Sequence, residues 1–144
     1  MNYVVVYFTR TNSSKRVAEK ISDKLSCKVI QITDNMNWKG IFGFIKAGYY
    51  SSINKHVDIE VLGKLDAADE YIVVAPIWAG GLAPAIRTFF TTLPKERVHL
   101  VVTSDGSHLK KRKGYKSISD ITKNEGNEDQ AIDTLVENLL NIKA

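Results

Sequence analysis

The stretch Tyr3-Val-Val-Val-Tyr-Phe-Thr9-Arg-Thr11-Asn12-Ser13-Ser14, continuing into Lys15-Arg-Val-Ala-Glu-Lys-Ile21, decides the fold. A run of β-branched and aromatic residues reads as a buried strand, and it stops abruptly at a hydroxyl-rich turn. Beyond the turn, Val17, Ala18, Ile21 and Leu25 recur at helical spacing on one face. Strand, tight loop and helix start bring free backbone N–H groups and the positive end of a helix dipole to one point. Such a point suits an anion. Side-chain hydroxyls in place of a glycine-rich stretch supply further donors for a terminal phosphate. An ordinary β–α turn with Ser or Thr capping the helix has the same local pattern, so the rest of the chain must decide.

Several anion-loop classes are excluded. The chain has neither the G-x-x-x-x-G-K-S/T loop of nucleotide triphosphatases nor the G-x-G-x-x-G fingerprint of dinucleotide sites. No acidic pair closes the first strand, as a phosphoryl-accepting receiver requires. The single Cys27 forms no internal disulfide and has no metal-ligand spacing around it, so it reads as a small core residue. No arginine stands six positions after it, which argues against a cysteine phosphatase loop. These features fit a reducing cytoplasm and no metal. No leader or membrane-spanning run is visible.

The length of 144 residues fits one domain, 1–144. Strand and helix signals alternate along it, which favours a parallel sheet covered on both faces. Lys28-Val-Ile-Gln-Ile-Thr33 reads as a second strand, and Trp38, Ile41, Phe42, Ile45 and Tyr49 as one face of a helix. Tyr71-Ile-Val-Val-Ala75 is a central strand, followed by a helix carrying Leu82, Ile86, Phe89 and Phe90 with Pro84 in its first turn. Val98-His-Leu-Val-Val-Thr103 is another buried strand, and a further strand lies around Tyr115 to Ile121. Ile132, Leu135, Val136, Leu139 and Leu140 mark a C-terminal helix with Asn127 as N-cap and Gln130 at the capping-box position. Only about a dozen residues link the last two strands, at the lower limit for a whole crossover. The fourth helix is therefore short or missing, and one sheet face is expected to be thinly covered there.

In a doubly wound sheet the ligand lies beyond the carboxyl ends of the strands. Three strand ends then matter: the Thr9–Ser14 loop, Ala75-Pro76-Ile77-Trp78-Ala79-Gly80-Gly81, and Ser104-Asp105-Gly106-Ser107-His108. Thr9-x-Thr11-x-x-Ser14 resembles the phosphate loop of the flavodoxin family, Ser/Thr-x-Thr-Gly-x-Ser/Thr, with Asn12 in place of glycine. Pro76-Ile77-Trp78 followed by glycine resembles the family's loop against the isoalloxazine ring. Thr103-Ser104-Asp105-Gly106-Ser107 resembles its third loop, with Asp105 where a glycine is usual. The resemblance runs from Tyr3 to about Ser107 and includes the C-terminal helix.

The resemblance implies a flavodoxin-like α/β fold with five parallel strands in the order 2-1-3-4-5 and helices on both faces. It implies FMN as cofactor. Thr9, Thr11, Asn12, Ser13 and Ser14 would hold the phosphate, and Arg10 would point to solvent or touch the phosphate from outside. Pro76, Ile77, Trp78, Ala79 and Gly80 would line the ring, and Ser104, Asp105, Gly106 and Ser107 its pyrimidine end. No catalytic residue is assigned; His108 is either a proton donor at the flavin edge or a surface residue.

The function implied is an electron carrier between partner proteins, or one serving a small electron acceptor. Alternatives are a small NAD(P)H-dependent flavin or quinone reductase, and an accessory flavoprotein acting within a complex, like those that activate ribonucleotide reductase. A monomer or a homodimer is expected. With 20 basic and 16 acidic residues the chain is mildly basic, the excess lying largely in Lys110-Lys111-Arg112-Lys113. No aromatic platform accompanies that run, so it reads as a solvated loop rather than a nucleic-acid patch. Positive charge beside the third loop should ease the second one-electron reduction of a flavin. Replacing Lys110, Lys111 and Lys113 by Glu is expected to lower that potential in a redox titration; an unchanged potential would reject the idea.

Overall fold

A computed structural model describes residues 2–8, 13–34, 59–62, 68–78, 81–82, 84–90, 93–106, 108–110 and 112–143. Strands are β1 (Tyr3–Tyr7), β2 (Lys28–Asp34), β3 (Ile59–Leu62), β4 (Glu70–Trp78), β5 (Gly81–Leu82), β6 (Val98–Ser104) and β7 (Ser117–Thr122). Helices are α1 (Ser13–Leu25), α2 (Pro84–Phe89) and α3 (Glu128–Lys143). The expected Trp38–Tyr49 helix lies outside the described residues.

The sheet order is β3-β2-β1-β4-β6-β7, with β5 folded back on β4. β1, β2, β4, β6 and β7 are parallel neighbours. Counting these alone gives the expected order 2-1-3-4-5. β3 adds an antiparallel edge beside β2, and β5 makes a short hairpin with β4. Neither is visible in the hydrophobic pattern, because four and two residues are too few to show a period.

Alternation along the strands divides the core in two. Val4, Val6, Ile30, Ile32, Val73, Ala75, Leu100 and Val102 face α2, which adds Ala85, Ile86 and Phe89. Val5, Tyr7, Ile72, Val74 and Val101 face α1 and α3. α1 presents Val17, Ala18 and Ile21, and α3 presents Ile132, Leu135, Val136 and Leu139. Leu140 stays 45% exposed, outside the stripe. The fold is the flavodoxin-like α/β architecture, with helices on both faces.

No helix lies between β6 and β7 among the described residues. Instead Leu109 is buried, and Tyr115 packs on Phe90 with ring centroids 5.7 Å apart. Lys95 Nζ lies 5.3 Å from the Tyr115 centroid, and burial pushes the phenol up to about 12. Gly114, at φ 99°, makes the reversal that turns Tyr115 inward, and Lys116 N–H then donates to Val98 O at 2.8 Å. The fourth helix is thus missing among the described residues, as expected; irregular chain supplies Leu109 and Tyr115 in its place, and Ser117–Asp120 of β7 stay half-buried.

Two helix ends show how local chemistry sets the boundaries. α1 stops because Ser26 takes a left-handed φ of 52°, letting Cys27 N–H donate to Ser22 O at 3.1 Å. The half-buried Cys27 has its thiol pKa raised by burial. Asn127 precedes α3, but its side chain turns to β7: Oδ1 accepts from Thr122 N–H and Nδ2 donates to Asp120 O, each at 2.9 Å. The described bonds of that side chain therefore go to the edge strand rather than to a helix cap.

A buried polar chain crosses the amino-terminal ends of the strands. His99 Nε2 lies 2.7 Å from Glu70 Oε1 and His99 Nδ1 lies 2.7 Å from Ser117 Oγ. Lys116 Nζ holds the second Glu70 oxygen at 2.7 Å. Burial raises the Glu70 pKa, but the hydrogen bonds from Lys116 and His99 together outweigh it and leave the group lowered. A strand slip here would bury Glu70 without partners, costing about 3–5 kcal/mol, so the network specifies register more than it adds stability.

α1 and α3 are joined at the surface by an ionic ladder. Arg16 grips Glu128 with two bonds, of 3.1 and 2.6 Å, and Lys20 reaches Glu128 at 2.6 Å and Asp129 at 3.0 Å. Lys24 pairs with Asp133 at 3.2 Å. Four buried apolar side chains at roughly 1.5–3 kcal/mol each outweigh these pairs, which set the helix's rotation. The Arg16 bond, with help from Lys20 and against burial, lowers the Glu128 carboxyl from 4.5 to about 2. Its contribution is therefore complete above pH 4.5 and lost as pH falls through about 2. Glu128→Gln is expected to cost about 1–2 kcal/mol at pH 7, Arg16 being half exposed. In denaturant titrations the gap from wild type should close between pH 4.5 and 2; a constant gap would contradict the pairing.

Candidate functional site

The parallel sheet puts the carboxyl ends of β1, β4 and β6 on one edge. The chain leaves β1 toward β2 on one side and returns to β4 on the other, so the order reverses between β1 and β4. In doubly wound sheets a ligand crevice lies at such a reversal, beyond the carboxyl ends of the strands.

β4 builds one wall of the crevice. The β1–β4 pairing ends at Tyr7 with Val74, with one further bond from Phe8 N–H to Val74 O at 3.1 Å. Ala75, Pro76, Ile77 and Trp78 then carry β4 past its last pairing with β1, about 13 Å at strand rise. Val74 turns its backbone toward β1, so Pro76, two residues on, turns the same way, where β1 has ended. Among the described residues no β1 pairing calls for the N–H that proline lacks. Ile77 and Trp78 pair with Leu82 and Gly81 of β5, and Arg87 Nη1 donates to Leu82 O at 2.7 Å, tying the return strand to α2.

The helix side supplies positive potential. α1 has no acidic residue in its first turn, whereas α3 has Glu128 and Asp129 there. The α1 dipole is thus left uncompensated by its own side chains and is suited to an anion. Ser14, expected at the phosphate, is 0% exposed, and its Oγ lies 3.2 Å from Thr103 Oγ1 at the end of β6.

The third loop starts at Ser104, Asp105 and Gly106. Asp105 O accepts from Asn124 N–H at 3.3 Å, so the turn after β7 packs against it. A Cβ on Gly106 would lie 2.7 Å from Asn124 Nδ2. Thr122 Oγ1, at the same edge, is buried with no hydrogen-bond partner among the described residues. His108 is exposed and helps to lower the Asp120 pKa, after the larger effect of Arg112, which grips Asp120 at 3.0 and 2.7 Å.

The structure therefore brings Ser13, Ser14, Pro76, Ile77, Trp78, Ser104, Asp105 and Gly106 to one edge of the sheet. Thr9, Arg10, Thr11, Asn12, Ala79, Gly80 and Ser107, and the indole of Trp78, lie outside what is described. Sequence reasoning missed Thr103 as a partner of Ser14, and it missed Arg87 and Asn124 as supports of the loops. The only available signal was their nearness to predicted strand ends.

No protein-family model matches the sequence, and no curated protein matches it. Solved structures do match in fold. A flavoprotein from Lactobacillus acidophilus in complex with FMN superposes with a TM-score of 0.64 at 17% identity, covering 90% of this chain and 97% of that one. A Bacteroides eggerthii protein assigned as a flavoprotein gives 0.70 at 19%, covering 94% and 96%. A WrbA-like flavodoxin from Agrobacterium tumefaciens gives 0.50 at 14%, covering 96% of each. These likenesses show the flavodoxin-like fold. Among the described residues no helix is long and apolar enough to cross a membrane.

Because Asn124 is exposed and its amide can rotate away, Gly106→Ala is expected to cost less than about 1 kcal/mol in chemical denaturation. A loss above about 2 kcal/mol would mean that Asn124 is held rigidly against the loop.

Proposed function

We propose that this chain binds FMN at the β1–β4 crevice and acts as an electron carrier. One observation carries the reading: an α1 N-terminus without acidic residues stands at the same sheet edge as the projecting β4 wall and the third loop. The donors fit the group. Backbone N–H groups of the first turn of α1, with Thr9, Thr11, Asn12 and Ser13, would hold the phosphate. Pro76, Ile77 and Trp78 would flank the ring, and Ser104 to Gly106 would meet its polar end. The Lactobacillus acidophilus protein of the same fold, in complex with FMN, supports the assignment.

The bound flavin supplies the electron chemistry, while the chain supplies orientation and charge. What favours a carrier over an acid–base enzyme is where the buried ionisable groups lie. Glu70 and His99 are both at the amino-terminal edge, far from the crevice. Buried polar side chains at the ligand edge among the described residues are hydroxyls: Ser14, Thr103 and Thr122. Partner proteins would then provide and accept the electrons. Lys110 and Lys113, both exposed near the third loop, offer a positive surface for an acidic partner.

The visible absorption spectrum tests this directly. Purified protein given FMN and then dialysed is expected to keep flavin bands with quenched fluorescence. A protein that keeps no added FMN overturns the reading, and steady NAD(P)H oxidation without partners would favour the reductase alternative.

A further inference from the structure

The hydroxyl pair of Ser14 and Thr103 lies at 3.2 Å, with the residues 0% and 7% exposed. It joins the first turn of α1 to the last turn-ward residues of β6 across 89 positions of sequence. No sheet ladder can make this tie, because β4 stands between β1 and β6. β6 is held on both sides, with Thr103 in register with Pro76 on β4 and Ile121 on β7. Thr103 is therefore a fixed point, and the start of α1 is the part it fixes.

We propose that Thr103 is a positioning residue for the cofactor phosphate, acting through Ser14 on the α1 N-terminus. This rests on the FMN reading above and assigns Ser14 a role different from direct phosphate contact. Helix N–H groups bind a phosphate only if they point at it, and a tilt of the first turn misaims several at once. The apolar face of α1 resists such a tilt only weakly at its end, since Val17 is its first buried apolar residue. A buried hydroxyl bond ahead of Val17 supplies the missing constraint. Removing either hydroxyl leaves the other buried without its partner, so the pair acts as one unit.

The test compares FMN with riboflavin, which lacks the phosphate, by flavin fluorescence quenching with the apoprotein. Thr103→Val, nearly isosteric, is expected to weaken FMN binding about tenfold, or about 1.4 kcal/mol. Its riboflavin affinity should change less than about twofold, under about 0.4 kcal/mol. Ser14→Ala should match it, the double variant should be no weaker than either, and Thr103→Ser should restore FMN affinity. Circular dichroism confirms that each variant folds, and a Thr103→Val chain that fails to fold leaves Ser14→Ala and Thr103→Ser to decide.

Equal loss for FMN and riboflavin would overturn the proposal, because the bond would then support the fold alone. So would a Thr103→Val protein with wild-type FMN affinity, or a Ser14→Ala loss that far exceeds it. In those cases wild type still binds FMN and the functional reading stands. A wild-type protein that binds neither flavin removes both.

Discussion

Everything in this molecule is arranged around the burial of β4 on both faces and along both edges. Ile72, Val73, Val74 and Ala75 are all 0% exposed, flanked by β1 and β6 and covered by helices on either side. Such a strand can carry polar chemistry only at its ends. At its start Glu70 is buried, and that is tolerated because both oxygens are engaged, by His99 and Lys116. At its other end β4 continues past its last pairing with β1 at Val74, and Pro76, the second residue of that stretch, has no N–H to lose. Unequal strand lengths thus leave the end of β4 projecting beyond β1 at the ligand edge.

The inner parallel strands β1, β4 and β6 were legible because each carries a run of apolar, largely β-branched residues, and α1 and α3 because their apolar stripes keep helical spacing. β3 was not legible. Ile59-Glu-Val-Leu is too short to show a period, and it joins the sheet through β2, far from it in sequence. The Glu70–His99–Ser117 chain was equally hidden, because 29 and 18 residues separate its members. At the site, the strand ends that put Ser13, Ser14, Pro76 and Ser104 on one edge could be read in the sequence, since strand runs and the turns that end them are local. The partner of Ser14 could not, because only the packing of α1 against the sheet brings Thr103 to it. Asn127 shows the same limit: its position beside a helix start suggests a cap, while the fold places an edge strand nearer to hand.

The basic excess of the chain is unevenly available. Arg16, Lys20 and Lys24 are paired with carboxylates of α3, Arg112 with Asp120, and Lys116 with Glu70. The basic run after the third loop is therefore not a uniform patch. Its Arg112 is tied to β7, which leaves Lys110 and Lys113 as the exposed charges described there.

Asn127 has one more effect. Its carboxamide offers β7 an acceptor and a donor on the free side of the sheet, as a neighbouring peptide group would. A single side chain thus occupies the place where a further strand could begin to grow. Open strand edges recruit other chains, and proteins commonly blunt them with charge, proline or a bulge. Here the blunting is done by imitation, with a peptide-like amide built into the turn that starts α3. A neighbouring copy would meet that amide where β7 would otherwise offer a bare N–H and C=O.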